Sequence, residues 1–178
     1  MRWSWDGIPE AVAHLIKLGA DVNARDGVGY TALFYAAEGT GNVDVLKSLL
    51  AAGADPNARA DENYTPLMVA LLRRKNPHPA EQIVKTLIEA GADVNARTEG
   101  GDTPLMIAAR MGNVPVIDVL IAAGADPTAK SSLGQPISQF ASRFGHADLA
   151  RRFRALEQQS AGVHASGLSD TADVRRQK

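Results

Sequence analysis

Residues 103–129 read TPLMIAARMGNVPVIDVLIAAGADPTA, and this stretch decides the fold. Thr103 is a good helix N-cap, and Pro104 suits the next position, where its missing N–H removes no hydrogen bond. The helix these residues open runs about nine residues, through Leu105-Met106-Ile107-Ala108-Ala109, and stops near Gly112-Asn113. A second, more apolar helix spans 114–123 and ends at Gly124, where a left-handed residue is wanted. The Asp-x-Asn phrase that follows such a glycine, Asp93-Val94-Asn95 one repeat earlier and Asp126-Pro127-Thr128 here, is expected to supply side-chain oxygens to a tight turn. Helices shorter than about 12–15 residues are marginal in water on their own. Stacking against neighbours must supply the burial.

The neighbours are visible in the same sequence. Gly19-Ala20-Asp21-Val22-Asn23-Ala24-Arg25 returns as Gly53-Ala54-Asp55-Pro56-Asn57-Ala58-Arg59, as Gly91-Ala92-Asp93-Val94-Asn95-Ala96-Arg97, and as Gly124-Ala125-Asp126-Pro127-Thr128-Ala129-Lys130. The glycine intervals are 34, 38 and 33. Thr31-Ala32-Leu33, Thr65-Pro66-Leu67, Thr103-Pro104-Leu105 and a degenerate Pro136-Ile137-Ser138 keep the same intervals. Two phrases sharing one set of spacings define an internal repeat. The equivalent second helices are expected over 43–52 and 79–90, each closed by its glycine.

The period, the Thr-Pro-Leu-x-x-Ala phrase and the Gly-Ala-Asp-x-Asn-Ala ending resemble ankyrin repeats over roughly residues 7–157. The resemblance implies an all-α fold, an ankyrin-repeat solenoid of stacked antiparallel helix pairs with β-hairpin fingers between them. The expected organisation is one repeat domain over 1–157, with a truncated first unit at 1–20 and full units at about 21–54, 55–92 and 93–125. A capping unit at 126–157 and a disordered tail at 158–178 complete it.

The departures from the pattern are local. The family's usual His after Thr-Pro-Leu is replaced by Phe34, Met68, Met106 and Gln139. Apolar packing is expected to substitute for the hydrogen bonding that His provides. An insertion, Arg73-Arg74-Lys75-Asn76-Pro77-His78-Pro79, falls between the two helices of the second full unit and reads as a surface loop, with a docking loop and, behind it, a nuclear-localisation signal at Arg73-Arg74-Lys75 as the alternatives. The first unit lacks most of its inner helix. Either Trp3 and Trp5 fold over the open end, or the chain is a fragment of a longer array. At the other end, the polar face of Arg151, Arg152, Arg154 and Glu157 suits a terminal cap.

Composition narrows the function. The net charge is −1 and only 5% of residues are aromatic, a balance that suits close packing through small residues and disfavours a nucleic-acid binder. The absence of cysteine removes disulfides, thiolate metal sites and cysteine nucleophiles. No window reaches about 18 apolar residues, so no membrane span is expected, and the start lacks the apolar run of a secretory signal. A monomeric, cytoplasmic protein is the expectation, and Ala-, Arg- and Gly-rich usage suggests a bacterial source. His14, His78, His146 and His164 stand far apart, and no phosphate loop, nucleophile elbow or His-Glu-x-x-His motif occurs. No catalytic residue, cofactor or metal site is expected.

A repeated surface remains. The finger positions free of structural duty include Arg25, Val28 and Tyr30; Arg59, Asp61, Glu62 and Tyr64; Arg97, Glu99 and Asp102; and Lys130. Arg110 and Arg143 lie on the concave face of the inner helices. The ladder Arg25, Arg59, Arg97, Lys130 either bonds neighbouring turns or forms a stripe for an acidic partner. Tyr30 and Tyr64 either pack between fingers or meet the partner. Charge is uneven: residues 1–64 carry five Lys and Arg against nine Asp and Glu, whereas 65–178 carry fourteen against eleven. The resemblance implies a non-catalytic module that binds a protein through the concave groove and finger tips. Rival readings are a regulatory or structural segment of a larger protein and, behind it, nucleic-acid binding by the basic C-terminal half.

Overall fold

The computed structural model describes residues 8–38, 42–72 and 77–159. Nine helices run through them: α1 (Ile8–Lys17), α2 (Ala32–Glu38), α3 (Val43–Ala51), α4 (Pro66–Leu71), α5 (Pro77–Glu89), α6 (Pro104–Met111), α7 (Val114–Ala122), α8 (Ile137–Arg143) and α9 (147–159). They form two layers of a solenoid. In the inner layer α2 packs on α4, α4 on α6 and α6 on α8. In the outer layer α1 packs on α3, α3 on α5 and α5 on α7, while α2–α3, α4–α5 and α6–α7 are the pairs within a unit.

Local chemistry explains the boundaries. Thr65 and Thr103 cap α4 and α6, their Oγ1 atoms accepting from the Met68 and Met106 N–H groups at 3.3 and 3.4 Å. Asn42 and Asn113 cap α3 and α7 in the same way. Four outer helices end in one motif: Gly19, Gly53, Gly91 and Gly124 have φ of 85–89°. The next N–H reaches back to the carbonyl five residues earlier, as in Ala54→Leu49 and Ala125→Leu120. Glycine is needed at this point because a Cβ at such φ meets the following carbonyl.

The core is made largely of small and aliphatic side chains. Leu33, Leu46, Leu67, Ile83, Leu87, Leu105, Ile117 and Leu120 are fully buried, with alanines such as Ala37, Ala70 and Ala109 letting the helices approach closely. Phe34, Met68 and Met106, at the position where the family carries His, are fully buried as well. The equivalent Gln139 is exposed. Apolar packing thus fills that position in three of four units.

The C-terminal unit is capped by a different route. Pro136 offers α8 no side-chain cap. Glu157 of α9 replaces it, accepting from the Ser138 N–H at 3.1 Å and from Ser138 Oγ at 2.9 Å. Glu157 therefore turns inward instead of lying on the polar outer face with Arg151 and Arg154. Arg152 pairs with Asp118 of α7 at 2.6 Å and ties the last two outer helices together.

Several expectations fall at or beyond the described segments. The inserted loop was expected over 73–79, but α5 already begins at Pro77, because proline costs nothing in a first helical turn. Residues 73–76, Trp3, Trp5 and the tail beyond 159 lie outside the described residues, and positions 158–159 continue α9. Among the described residues no helix is long and apolar enough to cross a membrane.

Candidate functional site

Each finger occupies the six residues between a buried alanine or its equivalent and the next inner helix: 25–30, 59–64, 97–102 and 130–135. Each turns on the same backbone pair, Asp26 N–H to Tyr30 O, Ala60 to Tyr64, Thr98 to Asp102 and Ser131 to Gln135, all at 3.0 Å. These are hairpins too short for strands, and Lys130–Pro136 is the one isolated antiparallel bridge among the described residues. Asp26 Oδ1, Thr98 Oγ1 and Ser131 Oγ accept a further N–H inside their fingers. Ala60 has no such oxygen. That second finger is also the one where non-glycine residues, Glu62 and Asn63, hold left-handed φ of 56° and 60°.

Adjacent fingers are pinned to each other. Asp61 N–H donates to Val28 O, Glu99 to Glu62 O and Ser132 to Gly100 O, at 3.2, 2.9 and 3.2 Å. Below the tips, asparagine side chains bridge each unit to the next. Asn23 Nδ2 donates to Gly53 O while its Oδ1 accepts from Asp55 N–H, both at 2.9 Å. Asn57 repeats this with Gly91 and Asp93 at 2.9 and 2.7 Å, and Asn95 with Gly124 and Asp126 at 3.0 and 2.9 Å. The aspartates meanwhile accept locally, from the N–H two residues on, as the sequence pattern implied.

The predicted site residues divide by what they touch. Arg25 donates to the Arg59 carbonyl. Arg59 donates to the Arg97 carbonyl at 2.9 Å, and Arg97 to the Lys130 carbonyl at 2.8 Å. The ladder thus reaches across each junction, with exposed Arg25, Arg97 and Lys130 along its edge. Tyr30 and Tyr64 are half-buried and pack against the cluster of Phe34, Ala58, Ala60 and Val69. Tyr30 stacks on Phe34 with ring centroids 4.6 Å apart. Burial raises the Tyr30 pKa, helped by the nearby acids Glu38 and Asp26. Val28, Asp61, Glu62 and Glu99 stand exposed at the tips, and no hydrogen bond or ion pair holds their side chains among the described residues.

Asp102 and Arg110 face each other at 3.9 Å at the base of the third finger. Burial raises the Asp102 pKa, and Arg110 opposes the rise. Arg143 lies further along, in a groove of about 510 Å³ that it shares with Arg110, Gln139, Phe140, Phe144 and Arg154. His146, the start of the last outer helix, faces the Arg110 carbonyl at 3.2 Å over the left-handed Gly112.

Two features escaped sequence reading. Tyr35 is 55% exposed and donates to Asp26, which holds that carboxyl below its ordinary range and raises the tyrosine in turn. Phe140 holds the same repeat position, where the central units carry buried Val69 and Ile107. An aromatic in place of an aliphatic at that register was the available signal. The second feature, the arginine groove, draws on α6, α8 and α9 together. Among the described residues no group of three or more His, Cys, Asp or Glu converges to hold a metal ion.

Helix pairs laid one on the next, with pinned hairpins between them, define a repeat-array protein. The family model for ankyrin repeats matches three overlapping stretches, residues 1–98, 42–131 and 76–161, and the chain belongs to the ankyrin repeat family. No curated protein matches it. Members of this family are in general protein–protein interaction modules and typically non-catalytic.

Proposed function

We propose that this chain binds one protein partner across its finger tips and inner-helix face and performs no chemistry of its own. The observation that carries the reading is the pinning of the fingers. One backbone hydrogen bond per junction, with the asparagine and arginine bridges beneath it, fixes the tips before any partner arrives. A surface ordered in advance loses little conformational entropy on binding. On that surface the side chains of Val28, Asp61, Glu62 and Glu99 are exposed and, among the described residues, held by no hydrogen bond or ion pair, which is what a recognition row requires. Tyr30, Tyr64, Asp102, Arg110, Arg143 and the Arg25–Lys130 ladder frame the row.

The test uses a partner recovered with the tagged chain and then purified. The triple change Asp61→Asn, Glu62→Gln, Glu99→Gln should weaken binding at least tenfold, or about 1.4 kcal/mol. The melting temperature should stay put, because those side chains bond nothing in the fold. Lys47→Ala, at an exposed position of outer helix α3, is the matched control and should leave affinity intact. Loss from the control with the triple variant unaffected would move the interface to the outer layer.

A further inference from the structure

The groove between α6, α8 and α9 differs in kind from the acidic finger tips. Three arginines line it, one from each helix, and no Asp or Glu does. Arg143 and Arg154 are exposed and pair with no carboxylate among the described residues, unlike Arg151 and Arg152, which pair with Asp148 and Asp118. Arg110 is incompletely satisfied. Its Nε is buried with no hydrogen-bond acceptor among the described residues, and its nearest carboxylate, Asp102, stands 3.9 Å away at the limit of an ion pair. Like charges lining one groove repel and favour an entering anion. Beside them Phe144 is 49% exposed and Phe140 half-buried, an apolar floor among the cations.

Resting on the binding-module reading above, we propose that this groove receives an acidic peptide segment of the partner, carboxylates on the arginines and an aliphatic side chain on Phe140 and Phe144. Guanidinium forks match carboxylates in shape as well as charge. The volume of about 510 Å³ suits a few residues and falls inside the range of ordinary ligand sites, about 300–1,000 Å³. A peptide fits better than a nucleic acid. A polyanion tracking along the array would run onto Asp61, Glu62 and Glu99, and the whole chain carries a net charge of −1. The two surfaces together select a partner with a basic or polar stretch for the tips and an acidic stretch for the groove.

Fluorescence anisotropy with the full chain tests this. The probe is a labelled hexapeptide, Glu-Leu-Glu-Glu-Leu-Glu, blocked at both ends. Its Gln-for-Glu counterpart and an oligothymidine of similar charge serve as comparisons. Saturable binding at low salt should weaken as salt rises, and the Gln peptide should bind at least tenfold more weakly. The double change Arg143→Gln, Arg154→Gln should cost tenfold or more with an unchanged melting temperature, since both side chains are exposed. Arg110→Gln should weaken binding in the same direction. Equal binding of the acidic and Gln peptides, or indifference to the arginine changes, would overturn the proposal. Tighter, arginine-dependent binding of oligothymidine would replace the peptide with a nucleic acid. If the peptide fails while the triple finger variant still loses the purified partner, only the groove falls and the binding-module reading stands.

Discussion

Replacing Asn57 with alanine removes two hydrogen bonds to the next turn of the repeat, at Gly91 and Asp93, and nothing else that the fold uses. The amide donates to Gly91 O at 2.9 Å and accepts from Asp93 N–H at 2.7 Å. A protein hydrogen bond contributes about 0.5–1.5 kcal/mol net. Asn57 is exposed, so water can reach the orphaned carbonyl and N–H, and the lower half of that range applies to each. The sum is about 1–2 kcal/mol. In urea at 25 °C, with a slope of about 2 kcal/mol per molar, the midpoint should fall by about 0.5–1 M. Asn57→Asp, nearly the same shape, should cost at least as much, because it puts a carboxylate oxygen against the Gly91 carbonyl. Asn23→Ala breaks the equivalent bonds at the N-terminal side of the stack, where α1 is the one helix beyond among the described residues. There the loss should appear as fast hydrogen exchange in α1 with a smaller midpoint shift. A midpoint change under about 0.15 M for Asn57→Ala would show that helix packing alone couples the units, and the asparagine bridge would be incidental.

Three further outcomes follow from the packing. Leu105→Ala, at a fully buried site with units on both sides, should cost about 2–5 kcal/mol by denaturant titration. Leu15→Ala, 55% exposed on α1, should cost about 1 kcal/mol or less, and equal costs would contradict a stack that weakens toward its N-terminal end. Gly101→Ala should cost about 2 kcal/mol or more, since its Cβ would sit 2.5 Å from the Ser132 backbone nitrogen at φ of +77°. Gly134→Ala meets open space at φ of +71° and should cost only the left-handed strain, about 1 kcal/mol. Finally, the folded chain holds the Asp102 proton more tightly than the unfolded chain does, because burial raises its pKa. Its contribution to stability is therefore greatest at pH below the unfolded carboxylate's pKa and is lost as pH rises through the folded value. Asp102→Asn should flatten that part of the stability–pH profile, and an unchanged profile would refute the assignment.

The fold was legible because its signals are local. Thr65-Pro66 and Thr103-Pro104 open helices, and Gly53, Gly91 and Gly124 close them, through contacts within a few residues. Reading failed where a role depends on a distant neighbour. Thr31 stands where the other threonines cap, yet its Oγ1 is buried with no partner among the described residues. Pro136 gives no sign that Glu157 will supply the cap of α8 from α9. Asp21-x-Asn23 looks like one turn motif, but only the aspartate acts within its turn. The asparagine reaches 30 residues along the chain to Gly53. The candidate site follows the same rule. Exposed tips such as Asp61 and Glu62 follow from repeat position, whereas the groove joins Arg110 to Arg154 and needs the stacking of three helices.

The central claim is that the finger and inner-helix face carries binding, and a hydrogen-exchange footprint tests it most directly. The chain would be labelled alone and in complex with its purified partner, and protection read unit by unit. The account predicts slowed exchange in the fingers, 25–30, 59–64, 97–102 and 130–135, and along α6 and α8, with α3, α5 and α7 unchanged. Protection confined to α3, α5 and α7, with the fingers exchanging as in the free chain, would contradict it.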